Sequence, residues 1–173
     1  MDALNAWSPR VLSLLRIGAA LILALAGAAH AAESPPPTPL PARLAVRAAD
    51  AALNACAAGG YRVSVSIVDR EGVTRALIVG DGAGPISITT SRRKAYTSAA
   101  LGISTGDMQR QPPPPGPVLQ IDPEILPLGG GLPIRRGDAV IAAIGVGGAD
   151  RPDKDEACAQ AGLDAIKADL DAK

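Results

Sequence analysis

From Arg62 to Ile67 polar and apolar residues alternate without a break, with Val63, Val65 and Ile67 falling on one side. A side-chain period of two fits an extended, half-buried strand with its apolar face turned to a core. The domain is therefore built on a sheet. Asp69–Gly72 carries turn residues, and Val73–Val79 returns as the second strand of a hairpin. A second hairpin follows at Leu132–Arg135 and Ala139–Val146, turning on Arg136-Gly137-Asp138.

Helical spacing fills the intervals. Pro41 suits a first helical turn, Leu44, Ala48, Ala51 and Ala55 recur on one face, and Gly59-Gly60 stops the run, which predicts a helix over 42–58. Ile86–Leu101 reads as a second helix, with Ala95, Tyr96, Ala99 and Ala100 set against the sheet and Gly102 closing it. A last helix starts near Asp153, whose carboxylate caps it while Glu156 completes an Asp version of the capping box; Leu163, Ile166 and Leu170 form its apolar stripe. Residues 103–131 are irregular, rich in proline and ending in Gly129-Gly130-Gly131. Runs of antiparallel strands interleaved with helices make an α+β domain with helices laid on one sheet. There is no internal repeat.

The first residues read as an address. Arg10 and Arg16 precede an apolar stretch from Ile17 to Ala28, and Ala29-His30-Ala31 offers a small-residue cleavage site, so residues 1–31 are expected to be a secretory signal peptide. An uncleaved anchor is the alternative, but the stretch is short for a bilayer of about 30 Å. Residues 32–41 then form a proline-rich, disordered leader and 42–173 the domain. Cleavage removes the chain's one His and one Trp. Without histidine, Ser-His-Asp or Cys-His catalysis, His-ligated zinc and a proximal-His haem are all excluded. The chain contains no Phe, and a core of Ala, Val, Ile and Leu is expected. Zero formal charge and few stacking rings argue against a nucleic-acid partner, and no stretch beyond the N-terminus is apolar enough for a membrane. A periplasmic or secreted location follows from the signal.

Two glycine- or acid-rich segments carry no motif. Gly80–Pro85 fits neither the dinucleotide fingerprint nor a Walker loop, since no Lys-Ser or Lys-Thr pair follows. Asp150, Asp153, Asp155 and Glu156 lack the glycine and closing bidentate Glu of a calcium loop. They serve better as capping acids beside a positive helix end.

Four segments together resemble the GlcG/HbpS family. They are Val63–Asp69 with Gly72, Ser91–Ala99, Leu128–Ile134, and Ala143–Ala149 followed by Asp155–Leu163, in the family's order over 42–170. The resemblance implies a compact, profilin-like α+β domain, a central antiparallel sheet with helices packed on it, assembled into homo-oligomers, with haem as the possible cofactor. Members are described as haem-binding, some as haem-degrading, and others sit beside glycolate or diol metabolism. Three positions depart from the pattern: Gly129 replaces a usual proline, Ala142 a glycine and Gly147 a serine. The first and third lie next to the pocket that the resemblance implies and bear on ligand specificity.

Of the axial ligands haem iron accepts, the mature chain offers Tyr61, Tyr96, Met108, Cys56 and Cys158. Tyr96 is the leading candidate for the metal, since Arg92, Arg93 and Lys94 lie just before it and suit propionate carboxylates. The plainer alternative makes Tyr96 a core ring with its hydroxyl at the surface and the basic triplet a solvated face. Gly129, Gly130 and Gly131 either let a flat ligand approach the backbone or make a tight turn. Arg110, Arg135 and Arg136 flank the irregular segment as further carboxylate contacts or simply as solvated charges.

Cys56 and Cys158 lie near the flanks of their helices' apolar stripes, and an exported chain matures where thiols are oxidised. A disulfide joining the first and last helices is expected, against the alternative of two buried residues that never meet. The functional expectation is an exported binding protein for haem or a related small molecule. A haem-degrading or hydroxy-acid enzyme and an oligomeric sensory or structural partner protein stand as alternatives. No nucleophile–base pair can be assembled without histidine, which disfavours the enzyme.

Overall fold

The computed structural model describes residues 38–111 and 122–171. The expected signal peptide, most of the leader and residues 112–121 lie outside them. The elements run α1 (Ala42–Ala58), β1 (Ser64–Asp69), β2 (Thr74–Val79), α2 (Pro85–Leu101), α3 (Thr105–Arg110), β3 (Gly131–Arg136), β4 (Ala139–Gly147) and α4 (Pro152–Asp171). The four strands form one antiparallel sheet in the order β2-β1-β4-β3. Each hairpin turns where the sequence places it. In the first, the Asp69 carboxylate accepts the N–H groups of Glu71 and Val73, and Gly72 has φ +82°.

Both faces of the sheet are covered, which corrects the expectation of a half-buried strand: all six residues of β1 are buried. On one face Val63, Val65, Ile67, Ile144 and Val146 meet α1 and α4 in an aliphatic core. Gly162 admits the close approach of these two helices, since a Cβ there would lie 2.6 Å from the Ala48 carbonyl oxygen. The buried stripe of α1 is Leu44, Ala45, Ala48, Ala49, Ala52 and Cys56; Ala55, expected inside, is exposed. Leu40 is buried in the same core and Arg136 donates to the Thr38 carbonyl, so the last residues of the expected leader pack with the domain.

Cys56 and Cys158 form the expected disulfide, with Cα atoms 5.4 Å apart. Their helices lie side by side on one face of the sheet, as that pairing requires.

The other face of the sheet carries small residues, and α2 lies directly on it. Ser64 bonds Ser87 at 2.7 Å and Ser66 bonds Ser91 at 2.9 Å. A Cβ on Gly145 would stand 2.1 Å from the Ser91 carbonyl oxygen, and one on Gly147 would stand 2.3 Å from Thr90 Oγ1. Here glycine serves the close approach of helix to strand. The helix accordingly buries Ser87, Ser91, Lys94 and Ser98 along with Ala95 and Ala99, while Tyr96 and Ala100 turn outward, opposite to the expectation.

Two further corrections concern local structure. The irregular stretch contains α3, whose N-cap Ser104 accepts from the N–H groups of Gly106 and Asp107. The last helix begins at Pro152, one residue earlier than expected, and Asp153 bonds the Arg151 guanidinium instead of forming a capping box with Glu156.

Candidate functional site

Residues of α2 fan out around the helix about 100° apart, and the expected site divides between its two sides. Arg92, Arg93 and Tyr96 share the outer face. Lys94, between them in sequence, points inward against Gly130 and Gly131, while Gly129 lies beside Gln109, Pro152 and Glu156.

The inner group is a buried polar joint. Lys94 Nζ donates to Asp155 Oδ2 at 2.7 Å, with both side chains almost wholly inaccessible. Asp155 Oδ1 also accepts the Ala149 N–H at 3.0 Å. Burial pushes Lys94 below the usual lysine range and Asp155 above the usual carboxylate range, while their mutual attraction opposes both shifts. Over the pair runs the glycine segment. A Cβ on Gly130 (φ +119°) would lie 2.7 Å from Asp155 Cβ and 3.0 Å from Lys94 Nζ. One on Gly131 would lie 2.4 Å from the Lys94 carbonyl oxygen. The segment is pinned as well: Gly129 N–H donates to Gln109 Oε1, Gly131 N–H to Thr105 Oγ1, and Val146 N–H to the Gly130 carbonyl. The small size of Gly130 and Gly131 is accounted for by their close packing on Lys94 and Asp155. Beside Gly129 a cleft of about 370 Å³ opens, lined by Gly106, Gln109, Arg110, Pro152 and Glu156.

The outer group grips one stretch of chain. Tyr96 Oη donates to Asp122 Oδ2 at 2.7 Å, Arg92 pairs with Glu124, and Arg93 donates to the carbonyls of Pro123, Glu124 and Ile125. Thr97 Oγ1 accepts the Leu126 N–H at 2.8 Å. The hydrogen bond to Asp122 raises the Tyr96 pKa, and the same bond holds Asp122 below the usual carboxylate range. A cleft of about 110 Å³ lies beside the Tyr96 ring, bounded by Arg70, Glu71 and Gly72.

Of the other ligand candidates, Met108 is buried, Cys56 and Cys158 are joined, and Tyr61 lines a separate cleft with Arg62 and Asp81. The three flanking arginines have local partners. Arg110 pairs with Asp107, Arg135 donates to the carbonyls of Gly102 and Asp138, and Arg136 to Thr38. Sequence reasoning missed Asp155 as the partner of Lys94, and missed Asp122 and Glu124 altogether. The spacing of Ser87, Ser91, Lys94 and Ser98 marks one polar stripe along α2 and was the available signal for a buried lysine.

Residues 40–164 match the family model for haem degrading protein HbpS-like. Among solved structures, a double mutant of HbpS from Streptomyces reticuli is 38% identical with a TM-score of 0.72, the match covering 80% of this chain and 94% of that one. Klebsiella pneumoniae ORFY is 28% identical with a TM-score of 0.70, covering 79% and 97%. PduOC, in its complex with heme, shares the fold at 23% identity and a TM-score of 0.68, covering 75% and 96%. No curated protein is significantly similar to the chain.

Proposed function

We propose, from the premise that this chain belongs to the HbpS-like family, that it is an exported haem-binding protein. The observation that carries the proposal is the family match itself, which spans every residue of both polar groups described above. The existence of a heme complex for PduOC, a protein of this fold, supports it.

The outer face of α2 fits the chemistry of the ligand. A phenol oxygen is an accepted axial donor to haem iron, and guanidinium groups pair with carboxylates such as propionates. Tyr96 would supply the first, and Arg92 and Arg93 the second. All three are held by the same short segment, Asp122–Ile125, so a ligand here competes with that segment for its partners. Lys94, committed to Asp155 inside the fold, takes no part. Export rests on the signal-like residues 1–31, and the expected location is periplasmic or secreted. Intact mass of protein recovered from the cell envelope tests it; retained Trp7 would refute it.

Hemin titration followed in the Soret region tests binding. A saturable shift is expected in the wild type, with loss of affinity in Tyr96→Phe. No saturable shift refutes haem binding, and an unchanged spectrum in Tyr96→Phe removes Tyr96 as the ligand. The family's description as haem-degrading favours a second reading, catalytic loss of bound haem. Bleaching of the Soret band by hydrogen peroxide faster with protein than with free hemin would support it.

A further inference from the structure

The acids where α3 meets the start of α4 are bound, with one exception. Asp155 holds Lys94 and the Ala149 N–H, Asp153 holds the Arg151 guanidinium, and Asp107 holds Arg110. Glu156 stands apart. Its side chain is only 23% exposed, yet among the described residues it has no hydrogen bond, and Arg110 Nη2 lies 3.7 Å from its Oε1, beyond hydrogen-bond length. Two glycines make room for this carboxylate: a Cβ on Gly106 would overlap Oε2, and one on Gly129 would lie 3.3 Å from it. Glu156 thus reaches the cleft beside Gly129 as an acceptor without a donor. Donors line the same cleft. The Gly129 N–H occupies Gln109 Oε1, so the amide nitrogen is what Gln109 has left to offer, and Arg110 gives Asp107 only one of its nitrogens.

We propose that this cleft binds a free α-amino acid, its ammonium donating to Glu156 and its carboxylate accepting from Arg110 and the Gln109 amide. Charge selects the class. A ligand carrying only a positive charge meets Arg110, and one carrying only a negative charge meets Glu156, so each is opposed by one wall of the site. A zwitterion satisfies both. The spacing selects among zwitterions, because Arg110 and Glu156 are 3.7 Å apart at their closest and suit an ammonium and a carboxylate that branch from one carbon. The cleft, about 370 Å³, leaves space beyond those two groups for a side chain. This inference is independent of the haem reading, since none of these residues belongs to the outer face of α2.

The test is a titration of the purified protein with each of the common L-amino acids, followed by the amide NMR signals of Gly106 and Gly129. At least one amino acid should shift both signals saturably. Glu156→Gln and Arg110→Gln should each weaken that binding about tenfold or more, the loss expected of a hydrogen bond to a charged group, without changing the circular dichroism spectrum. Acetate and methylamine, which carry one of the two charges each, should bind more weakly than the amino acid by about the same factor. The absence of a saturable shift with every amino acid, or an affinity unchanged in either variant, overturns the proposal. Acetate binding as tightly as the amino acid would make this an anion site, and methylamine doing so a cation site; either result overturns it too.

Discussion

Lys94 and Asp155 meet at 2.7 Å inside the protein, tying α2 on one face of the sheet to the start of α4. Gly130 passes directly over the pair, where a Cβ would lie 2.7 Å from Asp155 Cβ. The pair's charges cost desolvation, and each is tolerable only because the other is present. Lys94→Met should therefore destabilise the fold by about 3–5 kcal/mol, as should Asp155→Ala, which also strands the Ala149 N–H. Urea unfolding followed by circular dichroism measures both. A loss under about 1 kcal/mol in both variants would show that the joint is not structural.

Gly145→Ala tests the contact between α2 and β4. The added methyl would overlap the Ser91 carbonyl oxygen, and neither backbone can move without disturbing the serine pairs beside it. Overpacking of this kind costs about 1–3 kcal/mol or more. Gly137→Ala is the comparison. It has open space around it but a φ of +57°, so its cost is conformational alone, about 1 kcal/mol. Thermal melts should rank Gly145→Ala as the more damaging.

Reduction of Cys56–Cys158 releases a loop spanning 102 residues. Chain entropy gives up to about 4.7 kcal/mol for such a loop, with typical measured values of about 2–4. Cys56→Ala/Cys158→Ala should lower stability by that typical amount and keep the fold, because the aliphatic core around both helices remains. Non-reducing peptide mapping of the purified protein should recover the linked peptide.

The Tyr96–Asp122 bond makes a pH prediction. Asp122 has its pKa lowered, so its contribution is complete above the ordinary carboxylate range and is lost as pH falls through the folded value. Tyr96 has its pKa raised, so its contribution is complete below about pH 10 and is lost as pH rises through the folded value. Ultraviolet titration should show one tyrosine ionising above the ordinary range, and Asp122→Asn should bring it down. On the proposed ligation of ferric iron by the Tyr96 phenolate, hemin affinity should rise with pH and rise sooner in Asp122→Asn.

The order of helices and hairpins was legible because it is written in local patterns. Alternation at Val63, Val65 and Ile67 set a strand, and Gly59-Gly60 and Gly102 ended helices where the structure ends them. The short helix α3 was legible too, in Ser104 with Asp107 three residues on, but proline-rich neighbours masked it. Membership of the family was also in the sequence, since it rests on residues in order and not on their contacts.

What only tertiary structure decided is which side of each element is inside. The apolar stripe marks one face of a strand, but Ser64, Ser66 and Gly145 are buried because a helix with serines and alanines of its own comes close enough to satisfy them. By composition Lys94 belongs with Arg92 and Arg93. A turn of about 100° per residue separates them, and the fold places an aspartate, Asp155, from a distant helix on Lys94's side alone. The same rotation sends Tyr96 outward to Asp122. A single sequence carries the local periodicities, while the partner that makes a buried charge tolerable comes from far along the chain and is fixed only when the layers close.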